Sequence, residues 1–174
     1  MKILFLDFDG VLNDCGYVID LSKEFFGFHT YLDKYSYCTE LDPVRIERLN
    51  EIVDETGCFI VLSTAWRYYG LEYCKEILTM RGFRFPHRII DITPIHDFEE
   101  DSRVQEVILW LMINDPERDL SHYVMLDDDI EPTGIDRIGK EHITQTYLAD
   151  VIEGGLTEIK KRETIRKLIG DNDE

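Results

Sequence analysis

The sequence predicts an α/β fold, a doubly wound, Rossmann-like parallel sheet with helices on both faces. Short apolar runs of strand length alternate along the chain with longer segments whose apolar residues recur at helical spacing, and this alternation is typical of parallel sheets. Polar side chains follow three of the runs directly, at the edge where such sheets bind their ligands. The length of 174 residues suits a single domain, since domains typically hold about 100–150 residues. We therefore expect one domain over residues 1–170 and a frayed tail at 171–174.

Five apolar runs are the predicted strands. The first run stops at two aspartates and a glycine, and if the strand continued through both aspartates their side chains would share one face. The third run is closed by Thr93-Pro94, and the fifth is only weakly apolar. The predicted strands cover residues 2–7, 59–62, 88–92, 123–126 and 143–146.

Four helices are predicted between and after these strands. The first begins at Asp42-Pro43, an N-cap residue followed by proline at the first helical position, and ends at residue 56. The second runs from about residue 69 to 80. The third takes Asp101 or Ser102 as its cap, and its apolar residues follow the i, i+3, i+4, i+7 spacing of a face packed on a sheet. The fourth covers residues 156–169.

Residues 13–40 form an aromatic-rich insertion. This stretch holds seven of the chain's 20 aromatic residues, among them Tyr31 and Tyr35. It can act as a flap over the active edge, but an aromatic packing elaboration or a dimer contact is an equal alternative, because exposed apolar patches often mark association surfaces.

The composition excludes several classes of protein. The formal charge of −17, from 36 acidic and 19 basic residues, argues against a protein that grips nucleic acid by its phosphate backbone, so nucleic acid is expected only as a substrate. No apolar run approaches the ~20 residues that span a bilayer, and the N-terminus lacks a secretory pattern, so we expect a cytoplasmic protein without a membrane partner. The four widely spaced cysteines contain no Cys-x-x-Cys pair, which favours reduced thiols and no zinc site.

Oxygen ligands gather at the predicted carboxyl ends of three strands. Adjacent carboxylates repel each other unless a cation or a shared proton relieves them. Carboxylate oxygens suit a hard cation such as Mg²⁺, which usually keeps a substrate phosphate among its ligands. The pattern therefore indicates phosphoryl transfer. The pairs of residues are Asp7 and Asp9, Ser63 and Thr64, and Asp127 and Asp128.

These motifs, in this order, resemble those of the haloacid dehalogenase (HAD) superfamily of aspartate-nucleophile phosphohydrolases. The segment Asp7-Phe8-Asp9-Gly10-Val11-Leu12 matches the first motif, Val61-Leu62-Ser63 the second and Leu126-Asp127-Asp128 the fourth. Leu12-Asn13 and Ser63-Thr64-Ala65-Trp66-Arg67 are similar to small capless HAD domains of RNA-repair proteins. The resemblance implies strand order 3-2-1-4-5, and the gaps between motifs leave no room for a full cap domain.

The resemblance also implies roles for the acidic residues. Asp7 would be the nucleophile that becomes an aspartyl phosphate. Asp9 would be the general acid and then the base that activates water. Asp7, the backbone carbonyl of Asp9, and Asp127 would hold Mg²⁺. Asp128 is a further candidate metal residue, which we expect to lie just outside the ligands, orienting water or the basic residue.

The hydroxyl and glycine residues complete the implied phosphate site. Ser63 would bond a phosphoryl oxygen, and Thr64 takes its place if the predicted strand boundary is wrong by one residue. Gly10 of the first motif is assigned to substrate binding with Thr64.

The third motif departs from the family pattern, which usually has a lysine. No lysine occurs between Lys75 and Lys140. Arg103 is the best substitute, because its planar fork binds phosphate oxygens in pairs. Arg67 competes for this task or for holding the rest of the substrate, with a salt bridge as its structural alternative.

The leading hypothesis is a Mg²⁺-dependent phosphohydrolase that forms an aspartyl phosphate and acts on a phosphomonoester. An open site admits large substrates, so a nucleic-acid end or a phosphoprotein is as well supported as a small nucleotide or sugar phosphate. The alternative is a receiver-like module that binds metal and phosphate without turnover, and a degenerate scaffold is a third possibility. The spacing of Asp7 and Asp9 favours the enzyme, since receiver domains place adjacent acids after the first strand. The sequence leaves the oligomeric state open.

Overall fold

One parallel sheet of five strands, in the order β3-β2-β1-β4-β5, organises the computed structural model of the chain. The structure describes residues 1–25, 40–95, 102–115, 122–148 and 154–171. The predicted fold class and strand order are confirmed. The elements are β1 (Lys2–Leu6), α1 (Cys15–Phe25), α2 (Pro43–Thr56), β2 (Phe59–Leu62), α3 (Leu71–Met80), β3 (Ile89–Ile92), α4 (Ser102–Asn114), β4 (His122–Asp127), α5 (Pro132–Ile138), β5 (Ile143–Gln145) and α6 (Glu158–Ile169).

Strand β1 lies at the centre of the sheet and pairs with β2 on one side and β4 on the other. Its residues from Ile3 to Leu6 are fully buried. A parallel strand covered on both faces reads as a continuous apolar run, which is why the sequence identified it. Side chains alternate between the faces: Leu4 and Leu6 contribute to one apolar core, and Ile3 and Phe5 to the other.

The helices divide between these two cores. Apolar residues of α2, α3 and α6 pack with Leu4 and Leu6, whereas those of α4 and α5 pack with Ile3 and Phe5. Helix α2 has the predicted bounds, with the Asp42 side chain accepting a hydrogen bond from the Val44 N–H at 2.9 Å. Within the described ranges, no helix is both long enough and apolar enough to cross a bilayer.

Several boundaries differ from the predictions by one or two residues. Strand β1 ends at Leu6, so neither Asp7 nor Asp9 belongs to it and the alternation rule does not relate their side chains. The predicted helix 69–80 divides at Gly70, whose positive φ of 94° separates a short 3₁₀ helix, Ala65–Tyr69, from α3. Helix α6 begins at Glu158 because the Thr157 side chain caps it.

Two helices, α1 and α5, were not predicted. Helix α1 occupies the start of the aromatic-rich segment 13–40, and the Asp14 side chain caps it by accepting a hydrogen bond from the Tyr17 N–H at 2.7 Å. Residues 26–39 of that segment, including Tyr31 and Tyr35, lie outside the described residues, as do Asp101 and positions 172–174. The flap and tail predictions therefore stay predictions.

A buried arginine ties the segment after β1 to the start of α2 and to the segment before α6. Arg45 donates to the carboxylates of Asp14 and Asp42 and, at 2.9 Å, to the Gly154 carbonyl. Both carboxylates are N-cap groups, of α1 and α2. Because a buried charge is costly unless paired, this cluster fixes the chain that leaves the first motif.

Candidate active site

The backbone of the site is held by an extension of the sheet ladder. The residue after a strand still donates its N–H to a carbonyl near the end of the neighbouring strand: Asp7 to Leu126 at 3.0 Å and Ser63 to Leu6 at 2.8 Å. Thr146 donates in the same way to Asp127 at 2.9 Å. These bonds hold the polar residues of different strands at one edge of the sheet, where parallel sheets bind ligands.

Three carboxylates meet at this edge. Asp7, Asp127 and Asp128 each offer an oxygen, and these oxygens lie within 4.8 Å of one another. Asp7 and Asp127 are buried, and the Oδ2 atom of Asp127 has no hydrogen-bond partner among the described residues. An orphaned buried carboxylate oxygen beside two other carboxylates fits a hard cation with oxygen ligands, so the cluster can hold a metal ion.

Burial and mutual repulsion raise the pKa values of these acids. Burial raises the pKa of Asp7 to about 6, while the Arg103 guanidinium, the Phe8 N–H and the Thr64 side chain oppose that rise. Burial and the neighbouring Asp7 charge raise the pKa of Asp127 well above its ordinary value. Burial also raises the pKa of Asp128. A bound cation would favour the ionised forms of all three carboxylates.

Arg103 supplies positive charge to the same cluster from the first turn of α4. Its Nη2 atom lies 4.0 Å from Asp7 Oδ2, and its Nε atom lies 3.7 Å from Asp127 Oδ2. Its Nη1 atom donates to the Ser63 carbonyl. The structure therefore brings the predicted lysine substitute to the acids, although its catalytic role stays a prediction.

The Asp9 carboxylate lies outside the three-acid cluster and is held by two donors that the sequence analysis gave no role. Its Oδ1 accepts from Asn13 Nδ2 at 3.0 Å, and its Oδ2 accepts from Trp66 Nε1 at 2.8 Å. Asn13 also accepts from the Gly10 N–H at 2.9 Å. Both donors belong to segments that carried the family resemblance, but only the fold shows that they meet at Asp9.

Gly10 provides close backbone approach at the site. Its φ of 68° lies in the left-handed region that favours glycine, and a Cβ at this position would lie 2.6 Å from the Cβ of Asp128. Its carbonyl accepts from Thr146 Oγ1 at 2.7 Å. The glycine therefore makes room for Asp128 in the acid cluster, and its predicted role in substrate binding stays a prediction.

The two hydroxyl candidates occupy different surroundings. The Thr64 side chain accepts from the Trp66 N–H at 3.3 Å and opposes the rise in the pKa of Asp7. The Ser63 hydroxyl is buried and has no hydrogen-bond partner among the residues that the structure describes. The Thr64 side chain thus already has a backbone partner, whereas the Ser63 hydroxyl retains its hydrogen-bonding capacity.

Arg67 lies in a buried ion pair. Its Nη2 atom lies 2.6 Å from Glu106 Oε2, and its Nη1 atom donates to the Thr64 carbonyl at 2.6 Å. The salt bridge that the sequence analysis gave as the structural alternative for Arg67 is therefore present. Its partner Glu106 lies on α4 and not on α3, the helix that directly follows Arg67. A direct contact between Arg67 and substrate stays a prediction.

The fold and the site together define a doubly wound α/β domain with an acidic centre that an arginine partly neutralises. The family described as the HAD domain in Swiss Army Knife RNA repair proteins matches residues 3–156. Because this match covers most of the chain, the chain belongs to that family, and the resemblance drawn from the motifs is confirmed. HAD membership points to phosphohydrolase chemistry. Comparisons with curated proteins and with solved structures gave no significant match.

Proposed function

We propose that this protein is a Mg²⁺-dependent phosphohydrolase that forms an aspartyl phosphate on Asp7. The observation that carries the proposal is the convergence of Asp7, Asp127 and Asp128 with the Arg103 guanidinium at the carboxyl edge of the sheet. Asp7, Asp127 and Asp128, together with the backbone carbonyl of Asp9, would hold Mg²⁺, which when bound supplies positive charge that stabilises the phosphoryl oxygens.

The first half-reaction uses Asp7 as the nucleophile. A carboxylate oxygen of Asp7 bonds to phosphorus as the bond from phosphorus to the leaving oxygen breaks, and Asp9 gives that oxygen a proton. Arg103 offsets the negative charge of the carboxylates and the phosphoryl group, and the unpaired Ser63 hydroxyl can donate to a phosphoryl oxygen.

The second half-reaction restores the enzyme. Asp9 takes a proton from water, the water oxygen bonds to phosphorus, and the bond from phosphorus to Asp7 breaks, which releases inorganic phosphate. Asn13 and Trp66 hold both oxygens of Asp9, so the same carboxyl group is kept in place through both steps. This arrangement favours turnover over the alternative of a receiver-like module, which needs no second acid to activate water.

The phosphate on an RNA end is the substrate class that we infer. The family description names RNA repair proteins, and such repair requires chemistry on terminal phosphates. The charge of −17 disfavours a long backbone-binding groove, which agrees with recognition of an end. A phosphoprotein is the competing substrate.

The decisive experiment replaces the nucleophile. We expect Asp7→Asn to abolish turnover and leave the fold intact, because an amide cannot form the acyl phosphate. Activity with Mg²⁺ would be measured on 3′- and 5′-phosphorylated RNA oligonucleotides, phosphopeptides, nucleotides and sugar phosphates. Asp136→Asn, an exposed acid on α5, is the control and should keep full activity. Wild-type rates in Asp7→Asn, with deamidation excluded by mass spectrometry, would contradict the mechanism.

A further inference from the structure

Three exposed tyrosines lie in segments that follow strands of the sheet. Among the aromatic side chains that the structure describes, Tyr68, Tyr69 and Tyr147 are the ones with more than half of their surface exposed, at 67%, 60% and 52%. All three follow the carboxyl ends of strands at the edge that carries the site. Exposed aromatic rings are costly in water, so their restriction to this edge points to a ligand that covers them.

Two of the tyrosines follow β2. Tyr68 and Tyr69 end the 3₁₀ helix Ala65–Tyr69, the same helix in which Trp66 donates to Asp9. The Arg67 guanidinium carbon lies 5.9 Å from the Tyr68 ring centroid, and the Tyr69 ring lies 5.1 Å from the Tyr73 ring at an angle of 48°. These contacts hold the rings in place, which lowers the entropic cost of binding a ligand against them.

The third tyrosine follows β5 on the opposite side of the cluster. Tyr147 comes directly after Thr146, which donates to the carbonyls of Asp127 and Gly10. In the order β3-β2-β1-β4-β5, strands β2 and β5 stand on either side of β1 and β4, whose ends carry the three acids. Adjacent strands are about 4.8 Å apart, so β2 and β5, which the two groups of tyrosines follow, are roughly 14 Å apart, with the strands that carry the three acids between them.

We propose that Tyr68, Tyr69 and Tyr147 form a stacking rim that binds the bases of a single-stranded RNA end whose terminal phosphate lies at the acid cluster. Every base has a face that can stack on an aromatic ring, so this mode of binding needs no basic groove. It therefore suits a chain with a net charge of −17. The proposal names the recognition surface for the RNA substrate and rests on the proposed function.

The test measures affinity apart from turnover. In an Asp7→Asn background, calorimetry would give the affinity for a phosphorylated RNA oligonucleotide. Tyr68→Ala, Tyr69→Ala and Tyr147→Ala should each weaken binding by about 5-fold to 150-fold, the effect of one stacked base. The corresponding Tyr→Phe variants keep the ring and should bind nearly as well as the parent. Met112→Ala, an exposed apolar side chain near the far end of α4, is the control and should leave affinity unchanged.

A matched ligand separates base stacking from contacts to phosphate. An oligonucleotide with the same terminal phosphate and backbone, but abasic at its last two positions, should bind the parent as weakly as the intact oligonucleotide binds the Tyr→Ala variants. The Tyr→Ala substitutions should have no further effect on the abasic ligand. Affinity should also fall only slightly when the salt concentration is raised from 50 to 200 mM. Over the same range, a protein with 6–10 phosphate contacts loses roughly 10³-fold to 10⁵-fold in affinity.

Each result decides between the two proposals. Equal affinity of the parent and all three Tyr→Ala variants for RNA, with the wild-type chain hydrolysing that RNA, would overturn the stacking rim and leave the phosphohydrolase intact. Tyrosine-dependent binding without any hydrolysis by the wild-type chain would support the rim and overturn the phosphohydrolase. Tyrosine-dependent binding of a phosphopeptide but not of RNA would assign the rim to a protein partner and overturn the inference.

Discussion

Asp9 occupies a position that its two donors define. The Trp66 indole and the Asn13 amide each bind one oxygen of the carboxylate, and the Trp66 ring packs on Phe8 with centroids 5.6 Å apart. A carboxyl group that must deliver a proton and then accept one depends on orientation as well as on pKa. Trp66 and Asn13 are therefore positioning residues for the proposed acid and base.

Replacing Trp66 tests that role. Trp66→Phe keeps an aromatic ring against Phe8 but removes the indole donor, so kcat should fall tenfold or more on phosphates with poor leaving groups, within the roughly 10²–10⁴-fold contribution of general acid catalysis. Activated aryl phosphates need no proton on the leaving oxygen and should lose much less. Steady-state kinetics on both substrate types would measure the difference.

The chain offers a matched control for this substitution. Trp110 also donates its indole N–H to a carboxylate, Asp91, at 2.7 Å and packs on Phe5 with centroids 5.4 Å apart. Trp110→Phe should lower stability without changing the ratio of rates between the two substrate types. A similar change of that ratio in both variants would remove Trp66 from the positioning role.

A comparison of Gly10 with Gly57 separates the cost of a left-handed backbone from the effect of a Cβ on the acid cluster. Both have left-handed φ angles, 68° and 65°, so the backbone conformation alone makes alanine cost roughly 1–2 kcal/mol of stability at either position. A Cβ at Gly57 has nothing within 4 Å, whereas one at Gly10 overlaps the Asp128 side chain. Gly10→Ala should therefore also raise the Mg²⁺ concentration needed for half-maximal activity. Urea denaturation and Mg²⁺ titrations would check this, and an unchanged Mg²⁺ requirement in Gly10→Ala would contradict the role given to the glycine.

At the scale of elements, the Arg67–Glu106 pair joins the segment after β2 to α4. Arg67 also binds the Thr64 carbonyl, and α4 delivers Arg103 to the acids. The pair thus links the hydroxyl residues to the cationic residue of the site. Both side chains are almost fully buried, so removing one partner takes a neutralising charge away from the other inside the protein.

Arg67→Met or Glu106→Gln should destabilise the protein by about 3–5 kcal/mol, the usual cost of breaking a buried pair. The double variant should cost less than the two single changes together, because neither charge is then left alone. Arg84→Ala breaks the half-exposed pair with Glu47 and should cost no more than about 1 kcal/mol. Urea denaturation would measure all four. If Arg67→Met kept wild-type stability but raised KM, Arg67 would be a substrate residue instead.

The sequence predicted the elements whose signals are local. Strand β2 and helix α2 have their predicted bounds, because a continuous apolar run and the Asp42-Pro43 cap specify them directly. Helix α1 was missed because its capping residue, Asp14, lies in a segment dominated by aromatic residues. The convergence of Asp7 and Asp127 followed from strand ends. The bond from Trp66 to Asp9 joins residues 57 positions apart, and the bond from Asn13 depends on the turn that follows β1. Only the fold reveals such contacts.

At the scale of the whole molecule, the buried carboxylates of the site lower the free energy of unfolding of the metal-free protein. Folding buries Asp7 and Asp127 beside each other, and Arg103 contacts them at 3.7 Å or more. Arg103 does not fully offset the cost of burying these two charges, and the pKa values of both carboxyls are therefore raised. A site of this kind is maintained by the surrounding sheet and helices and is relieved when a cation binds.

The metal-free protein should therefore lose stability at this site as the pH rises. Burial raises the pKa of Asp7 from 3.8 to about 6 in the folded state, so the folded state binds more protons than the unfolded state between these values. The free energy of unfolding then falls with rising pH across that window and further as Asp127 ionises. One pKa unit is worth about 1.4 kcal/mol, so Asp7 contributes a loss of up to about 3 kcal/mol. Mg²⁺ at a hundred times its Kd should return about 2.7 kcal/mol at pH 7.5 and much less at pH 5.

The Asp127→Asn variant isolates this effect from every other titrating group. It removes one of the two buried charges, so in EDTA at pH 7.5 it should be more stable than the wild-type chain and should depend less on pH. It should also gain little from Mg²⁺, because a ligand has been lost. Urea denaturation at pH 5 and pH 7.5, with EDTA or with Mg²⁺, would give the four free energies for each protein. Equal stabilisation of both proteins by Mg²⁺ at pH 7.5 would show that the cation binds elsewhere.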